Sequence, residues 1–151
     1  MAELHARSLA VILCQTDAAS LDSLVAPGHG ARTMRTAPDE ALFVGSPDVA
    51  SDVAREVADR IAALDEDAVV LDVSDGWAAW SLTGDDVSHA FSNLSPLELP
   101  AADGFVQGDV AHVAAKVLGE PDGVTILVPA YWREHLRVRA VHDARAREVT
   151  T

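Results

Sequence analysis

Residues 69–83 read VVLDVSDGWAAWSLT. Two runs rich in strand-forming residues flank a central Ser-Asp-Gly. Asp-Gly suits the positive φ angles of a tight hairpin, so the pattern predicts two antiparallel strands joined at Asp75-Gly76. Side chains alternate along a strand, which directs Trp80 toward a core and Trp77 toward the opposite face. This hairpin is the centre from which the rest of the fold is predicted.

The segment that precedes this hairpin is predicted to form another hairpin, followed by a helix. Strands at residues 31–36 and 41–45 flank the turn-forming run Pro38-Asp39-Glu40. Ser46-Pro47-Asp48 then provides an N-cap, a first-turn proline and an early acid for an amphipathic helix. One face of this helix carries apolar residues at helical spacing: Val49, Val53, Val57, Ile61 and Leu64.

Two more helices and a third hairpin are predicted after residue 83. Gly84-Asp85-Asp86 opens a helix whose apolar residues are Val87, Ala90, Phe91 and Leu94. After a proline-bearing connector at residues 95–104, strands at 110–118 and 124–128 flank Pro121-Asp122-Gly123. On the longer strand one face carries Ala111, Val113, Ala115 and Val117, and the mixed composition of the other face indicates contact with solvent or with another chain. A last helix runs from Pro129 to about Arg147, with one stripe formed by Trp132, Leu136, Ala140 and Ala144.

The N-terminal part of the chain is predicted to contain a strand and a short helix. The strand covers residues 9–14, and the helix covers residues 18–25 with Thr16 or Asp17 as its cap. Hairpins that alternate with helices in ββα units predict an α+β fold, with antiparallel sheets and helices packed on one face. The 151 residues are expected to form a single domain.

Composition excludes several classes of function. The net charge of −13 makes nucleic acid and anionic membranes poor partners. Cys14 is the only cysteine, so we expect no internal disulfide and interpret it as a small buried hydrophobe. The first residues contain no basic leader and no apolar run approaches membrane-spanning length, so a cytoplasmic protein is expected.

The polar residues do not indicate a catalytic or metal site. Asp72, Asp75, Asp85 and Asp86 stand where hairpin turns and helix starts favour acids, which explains them without a metal. The six histidines lack ligand spacing, and no glycine-rich phosphate loop or nucleophile elbow is present. We therefore predict no catalytic, cofactor-binding or metal-binding residue.

Four segments, in order along residues 30–147, carry a resemblance to a known family. Residues 36–44, TAPDEALFV, are similar to the family's GPDEWLLL hairpin, and residues 70–77, VLDVSDGW, with Leu82-Thr83-Gly84, to VxDVSDGR…LSG. Residues 105–108, FVQG, resemble FxxG, and residues 124–131 resemble FxLLVxRSY. On these segments the chain resembles the gamma subunit of heterotetrameric sarcosine oxidase, which is related to the folate-binding domain of the glycine-cleavage aminomethyltransferase. The chain departs from the pattern at Ala41, where the family usually has Trp, and at Trp77, where it has Arg.

The resemblance implies a fold like that of the aminomethyltransferase folate-binding domain and a role as a non-catalytic subunit of an oxidoreductase. The complex would oxidise sarcosine or a related N-methyl amine and transfer the one-carbon unit to tetrahydrofolate. Tetrahydrofolate, FAD, FMN and NAD would be bound by larger partner subunits. The strand after Gly108 lacks the transferase's catalytic acidic motif, so no folate ligand is assigned to this chain. Two alternatives stay open: a stand-alone folate-binding or folate-dependent aminomethyltransferase-like protein, and a module of this fold with a different partner.

A partner subunit needs a docking surface, and large aromatics and arginines are its best candidates. Trp77 has only small neighbours on its strand face, and the last helix carries more arginines than acids. The helix macrodipole offers a purely local reason for these arginines, because it favours positive charge near a helix C-terminus. The predicted interface residues are Trp77, Tyr131, Trp132, Arg133, Arg137 and Arg145.

Overall fold

The computed structural model describes residues 1–148, with the side chains of residues 1–140. The strands are β1 (Glu3–Arg7), β2 (Ala10–Gln15), β3 (Arg32–Ala37), β4 (Glu40–Gly45), β5 (Val69–Asp72), β6 (Trp77–Thr83), β7 (Phe105–Val110), β8 (Val113–Glu120) and β9 (Gly123–Pro129). The helices are α1 (Ala18–Ser23), α2 (Ala50–Ala62), α3 (Val87–Leu94) and α4 (Arg133–Glu148). The chain divides into two compact units, Ser8–Asp75 and Met1–Arg7 with Gly76–Thr151. We call them the N-terminal and C-terminal units.

The N-terminal unit is a four-stranded antiparallel sheet with two helices. Its strand order is β3-β4-β2-β5, which is the arrangement of a split β-α-β motif. Ile12, Cys14 and Phe43 of the sheet pack with Val57 and Ile61 of α2 in one buried cluster. Cys14 is fully buried, which confirms its interpretation as a core residue.

Helix α2 follows its predicted periodicity closely. Val53, Val57 and Ile61 are the buried residues of the helix, because their spacing places them on one face against the sheet. Leu64 was wrongly assigned to that face: it lies beyond the end of the helix and is 47% exposed. Ser46 forms no side-chain capping bond, because a single 3-10 turn at Pro47–Val49 precedes the helix and the Ser46 hydroxyl contacts Asp48 instead.

The short helix α1 ends earlier than predicted, at Ser23. Asp17 is its cap, because a side-chain oxygen of Asp17 accepts a hydrogen bond from the Ser20 backbone N–H at 2.9 Å. Of the two predicted caps, Thr16 has a different role, since its hydroxyl donates to Asp65.

The C-terminal unit is a five-stranded antiparallel sheet in the order β1-β6-β9-β8-β7. Trp80, as predicted, lies in the core of this unit, which α3 and α4 close with Phe91 and Leu136. Sequence reasoning missed β1, a five-residue strand in which Leu4 is the only large aliphatic residue. Pairing with β6, in a register that aligns Leu4 with Leu82, makes it a strand.

The predicted hairpin at Asp75-Gly76 was wrong. β5 pairs with β2 and β6 pairs with β1 and β9, so the two strands belong to different sheets. Ser74–Gly76 forms a 3-10 turn. Two hydrogen bonds hold this turn, one local and one distant in the chain. Asp72 Oδ1 accepts from the Ser74 backbone N–H at 3.0 Å, and the Ser74 hydroxyl accepts from the Val11 N–H at 2.9 Å.

The predicted strand at residues 110–118 is interrupted. β7 ends at Val110 and β8 begins at Val113, and these two residues pair across a two-residue hairpin turn. Ala111 and His112 form this turn with φ angles of 53° and 65°. Both residues are therefore left-handed, as a type I′ turn requires. The alternation predicted for β8 is correct: Val113, Ala115 and Val117 are buried.

No helix within the described part of the chain is long and apolar enough to cross a lipid bilayer.

Candidate partner interface

The predicted interface residues separate into two places in the C-terminal unit. β9 ends at Pro129, and a single 3-10 turn, Ala130–Trp132, leads directly into α4. This geometry brings Tyr131, Trp132, Arg133 and Arg137 together, and we call these four residues the helix-side patch. The side chain of Arg145 lies outside the described residues.

The two aromatic residues of the patch are unusually open to solvent. Tyr131 is 81% exposed and Trp132 is 40% exposed. Their ring centroids lie 5.7 Å apart, and Trp132 also meets the His135 ring edge-on at 5.3 Å. His135 in turn contacts Ala111 through a hydrogen bond of 2.8 Å. Trp132 is thus held by neighbours while its surface remains available, as in an interface anchor.

Two positively charged side chains belong to the same patch as these aromatic residues. Arg133 and Arg137 are exposed on α4. Arg137 forms a surface ion pair with Glu134 at 2.8 Å, a contact that contributes little to stability when both side chains are open to solvent. Arg133 has no ion pair within residues 1–140. Ion pairing within residues 1–140 therefore accounts for little of the positive charge of Arg133 and Arg137.

The same helix is firmly attached to its own unit by Leu136. This residue is fully buried in the cluster that contains Trp80. The predicted stripe of α4 was therefore right at Leu136 and wrong at Trp132, because Trp132 precedes the helix in the 3-10 turn. Because Leu136 anchors the start of α4, the 3-10 turn before it holds Tyr131 and Trp132 in a defined position.

Trp77 lies on the face of the C-terminal sheet opposite to the one that packs against α4. It is half-buried, and its neighbour Ala78 points into the core that α4 covers. The ammonium group of Lys116 lies 5.8 Å from the centroid of the Trp77 ring, within the range of a cation–π contact. Lys116 also donates to Gln107 at 2.8 Å. Trp77 is therefore already engaged within its unit and is a weaker anchor than the helix-side patch.

A polar network on this second face was not predicted. Arg7 of β1 donates to the Thr125 hydroxyl at 3.0 Å, and that hydroxyl donates to Glu120 at 2.8 Å. Thr125 is fully buried, so both bonds satisfy a group that would otherwise be costly. Glu120 and Thr125 are brought together by the hairpin of β8 and β9. Arg7 is 118 residues from Thr125, and only the tertiary structure brings β1 close to them.

A second unpredicted feature is a cavity of about 270 Å³ beside the Ala111-His112 turn. Its polar lining includes Ser92, Asn93, Asp109 and Arg139. Asp109 Oδ1 accepts from the His112 backbone N–H at 2.8 Å, so this carboxylate already has a structural role in the turn.

Two buried or capping side chains, Cys14 and Asp17, have shifted pKa values. Burial, with a smaller contribution from Asp65, raises the pKa of the Cys14 thiol. Hydrogen bonds from the backbone and side chain of Ser20 lower the pKa of Asp17. Both groups have local structural explanations. No three His, Cys, Asp or Glu side chains within the described residues converge in a way that could hold a metal ion.

No family model and no curated protein matches the chain. Solved structures do match it. A chain of the heterotetrameric sarcosine oxidase from Corynebacterium sp. U-96, in complex with pyrrole 2-carboxylate, is similar over 93% of this chain and 82% of its own, with a TM-score of 0.73 and 16% identity. The glycine cleavage system aminomethyltransferase T from Bartonella henselae is similar over 95% of this chain, with a TM-score of 0.67 and 15% identity.

This chain spans only 46% of the aminomethyltransferase. The regulatory subunit of aspartate kinase from Thermus thermophilus is similar over 95% of this chain and 97% of its own, with a lower TM-score of 0.53 and 16% identity. At these identities the likeness concerns the fold. The protein has an α+β fold with antiparallel sheets, related to that of aminomethyltransferase T and of the sarcosine oxidase chain.

Proposed function

We propose that this protein is a non-catalytic accessory subunit of a heteromeric flavoenzyme of the sarcosine oxidase type. The observation that carries the proposal is the match to a chain of heterotetrameric sarcosine oxidase over most of both chains. The four sequence segments that resemble the gamma subunit support it independently. The proposed complex oxidises sarcosine or a related N-methyl amine and transfers the one-carbon unit to tetrahydrofolate.

The alternative, a stand-alone folate-binding or aminomethyltransferase-like protein, has support from the TM-score of 0.67 to aminomethyltransferase T. The match covers only 46% of that protein. A fold-level likeness to part of an enzyme is weaker support for activity than a likeness over most of a subunit, because function resides in a site rather than in a fold.

The cavity beside the Ala111-His112 turn does not fit folate. Its volume of about 270 Å³ is at the low end for ligand pockets. Its lining contains no Trp, Tyr or Phe on which a pterin ring could stack, and its polar residues are mostly short. In the proposed complex, tetrahydrofolate, FAD, FMN and NAD are bound by the larger subunits, as the family resemblance implies.

The helix-side patch is the proposed docking surface for the larger subunit. Tyr131 and Trp132 would provide buried aromatic contacts once the partner covers them. Arg133 and Arg137 would face acidic or polar groups, which improves specificity and the association rate more than affinity.

The test is to purify the tagged chain from its native host and to identify the associated polypeptides by native mass spectrometry. We expect a hetero-oligomer whose released cofactors include flavin, and which reduces an electron acceptor when sarcosine or another N-methyl amine is added. The isolated chain should show no turnover.

Two results would overturn the proposal. One is a native chain that is monomeric and carries no flavoprotein partner. The other is reproducible turnover by the isolated chain, even at about 0.1 per second, which is slow for an enzyme. Tight binding of tetrahydrofolate by the isolated chain would favour the alternative.

A further inference from the structure

β5 is an outer strand of the N-terminal unit's sheet and has a neighbour, β2, on one side only. Its side chains alternate between two environments. Val70 is half-buried and packs against the core cluster, whereas Val69 is 44% exposed and Leu71 is 51% exposed. An edge strand with apolar side chains open to water is a favourable place for another strand to add.

The register with β2 determines which backbone groups of β5 point outward. Val73 N–H donates to Val11 O at 2.9 Å, and Leu71 aligns with Leu13 two positions away. In an antiparallel ladder, alternate residues exchange hydrogen bonds with the neighbouring strand. The backbone N–H and C=O groups of Leu71 therefore point toward β2. Those of Val70 and Asp72 point to the open edge of the sheet. These groups are oriented to pair with a strand that is added there.

The surroundings of this edge are strongly acidic. Five carboxylates flank or belong to β5: Asp65, Glu66, Asp67, Asp72 and Asp75. Asp65 accepts from Thr16, and Asp72 accepts from Ser74, but none of the five takes part in an ion pair among the described residues. The negative charge around the edge is therefore not neutralised by an ion pair among the residues that the structure describes.

The same charges discriminate between occupants. A second copy of this chain would place two acidic edges side by side, which like-charge repulsion disfavours. A segment with Lys or Arg on both sides of its apolar residues would gain attraction at the same positions.

We propose that the β5 edge binds an extended segment of a partner protein by strand addition. The segment carries apolar residues at alternate positions, opposite Val69 and Leu71, and basic residues at its ends. Its backbone pairs with Val70 and Asp72, which supplies affinity, while the alternate side chains supply specificity. This surface belongs to the N-terminal unit, whereas the helix-side patch belongs to the C-terminal unit.

The probe is a synthetic peptide with a Val/Thr alternation between two pairs of arginines. It is titrated into the full chain labelled with nitrogen-15, and amide shifts are followed by NMR. We expect shifts centred on residues 69–72 and slower hydrogen exchange at the Val70 and Asp72 amides. A peptide with the same alternation between pairs of glutamates should bind at least about tenfold more weakly, and added salt should reduce the difference.

Two variants separate the apolar and the charged contributions. Leu71→Arg should lower the affinity for the basic peptide at least about tenfold, because it removes the apolar contact and adds a like charge. Glu66→Lys with Asp67→Lys should weaken the basic peptide and strengthen the acidic one. Val25→Arg is the control, since Val25 is 68% exposed elsewhere in the same unit and should leave both affinities unchanged.

Several results would overturn the proposal. These are equal binding of the basic and acidic peptides, shifts that map away from β5, or no detectable binding of the basic peptide by a folded chain. Dimerisation of the free chain through β5, detected by sedimentation equilibrium and abolished by Leu71→Arg, would assign the edge to a second copy instead.

Discussion

The Nε2 atom of His135 in α4 lies 2.8 Å from the carbonyl oxygen of Ala111 in the turn between β7 and β8. A carbonyl only accepts hydrogen bonds, so Nε2 carries the proton that is donated. The Ala111 N–H donates to Leu94 O at 2.6 Å, at the end of α3. Both polar groups of one left-handed residue are thus bonded to two different helices, which keeps the turn in a conformation that its sequence disfavours.

We predict that His112→Gly stabilises the protein. His112 has φ 65° and an exposed side chain, so glycine removes the left-handed cost without removing core packing. The greater flexibility of glycine in the unfolded chain offsets part of this gain, and we expect a net rise of about 0.5 kcal/mol in the free energy of unfolding. Urea unfolding followed by circular dichroism measures it.

The control is His89→Gly, the same substitution in helix α3. Glycine weakens a helix interior, so this variant should lose about 0.5 kcal/mol. A loss of stability for His112→Gly, like that of His89→Gly, would show that the turn is not strained.

Gly123→Ala should be strongly destabilising. A Cβ atom at Gly123 would lie 2.0 Å from the carbonyl oxygen of Leu82, so β9 must shift against β6 to accept it. We expect a loss of about 2 kcal/mol or more, since overpacking in a well-packed region typically costs 1–3 kcal/mol. Gly76→Ala is the matched control, because a Cβ there meets nothing within 4 Å and Gly76 has no positive φ. Equal losses for the two variants would contradict this packing at Gly123.

The cap of α1 should make a pH-dependent contribution to stability. Hydrogen bonds from Ser20 hold the pKa of Asp17 below its unfolded value of 3.8. A group whose pKa is lowered on folding stabilises the protein fully above its unfolded pKa, and that contribution is lost as the pH falls through the folded pKa. Asp17→Ala should therefore lower the melting temperature at neutral pH, and the difference from the parent should shrink below pH 3.8.

Two variants serve as controls for the cap. Asp17→Asn keeps an acceptor that does not titrate, so its difference from Asp17→Ala should persist at all pH values at which the protein is folded. Asp59→Ala removes an exposed carboxylate from α2 and should change the melting temperature little at any pH. A difference for Asp17→Ala that is independent of pH would show that the charge of Asp17 does not contribute.

Charge reversal in the helix-side patch should weaken assembly with the proposed larger subunit. Arg133→Glu with Arg137→Glu should reduce co-purification most at low salt, because salt screens exposed charges. Tyr131→Ser should weaken assembly at every salt concentration, since it removes apolar contact area from a side chain that is 81% exposed in the isolated chain.

Arg55→Glu is the matched control, as Arg55 is also exposed but lies on α2 of the other unit. For all variants, the free energy of unfolding should stay within about 1 kcal/mol of the parent's value, because surface substitutions usually have small effects. Normal assembly of the Arg133/Arg137 variant at low salt would place the docking surface elsewhere, with Trp77 as the next candidate.

The amino-acid sequence by itself determined the features that depend on local spacing. The period of Val53, Val57 and Ile61 predicted the buried face of α2, because a helix places residues three and four positions apart on one side. Alternation likewise predicted the burial of Trp80 and of Val113, Ala115 and Val117. The acidic composition and the identity of the exposed aromatics at Tyr131 and Trp132 were also available from the sequence.

Only the tertiary structure decided which strands pair and which turns connect them. Asp75-Gly76 is compatible with a hairpin, yet a hydrogen bond from Val11 to Ser74 stabilises a 3-10 turn and the two strands enter different sheets. Ala111-His112 lacks the residues that favour a left-handed turn, yet the hydrogen bond from Ala111 to Leu94 and the one from His135 to Ala111 maintain one. β1 is a strand because its backbone pairs with β6. In each case the deciding partner is distant in the chain, so the free energy that selects the conformation does not belong to the local sequence that adopts it.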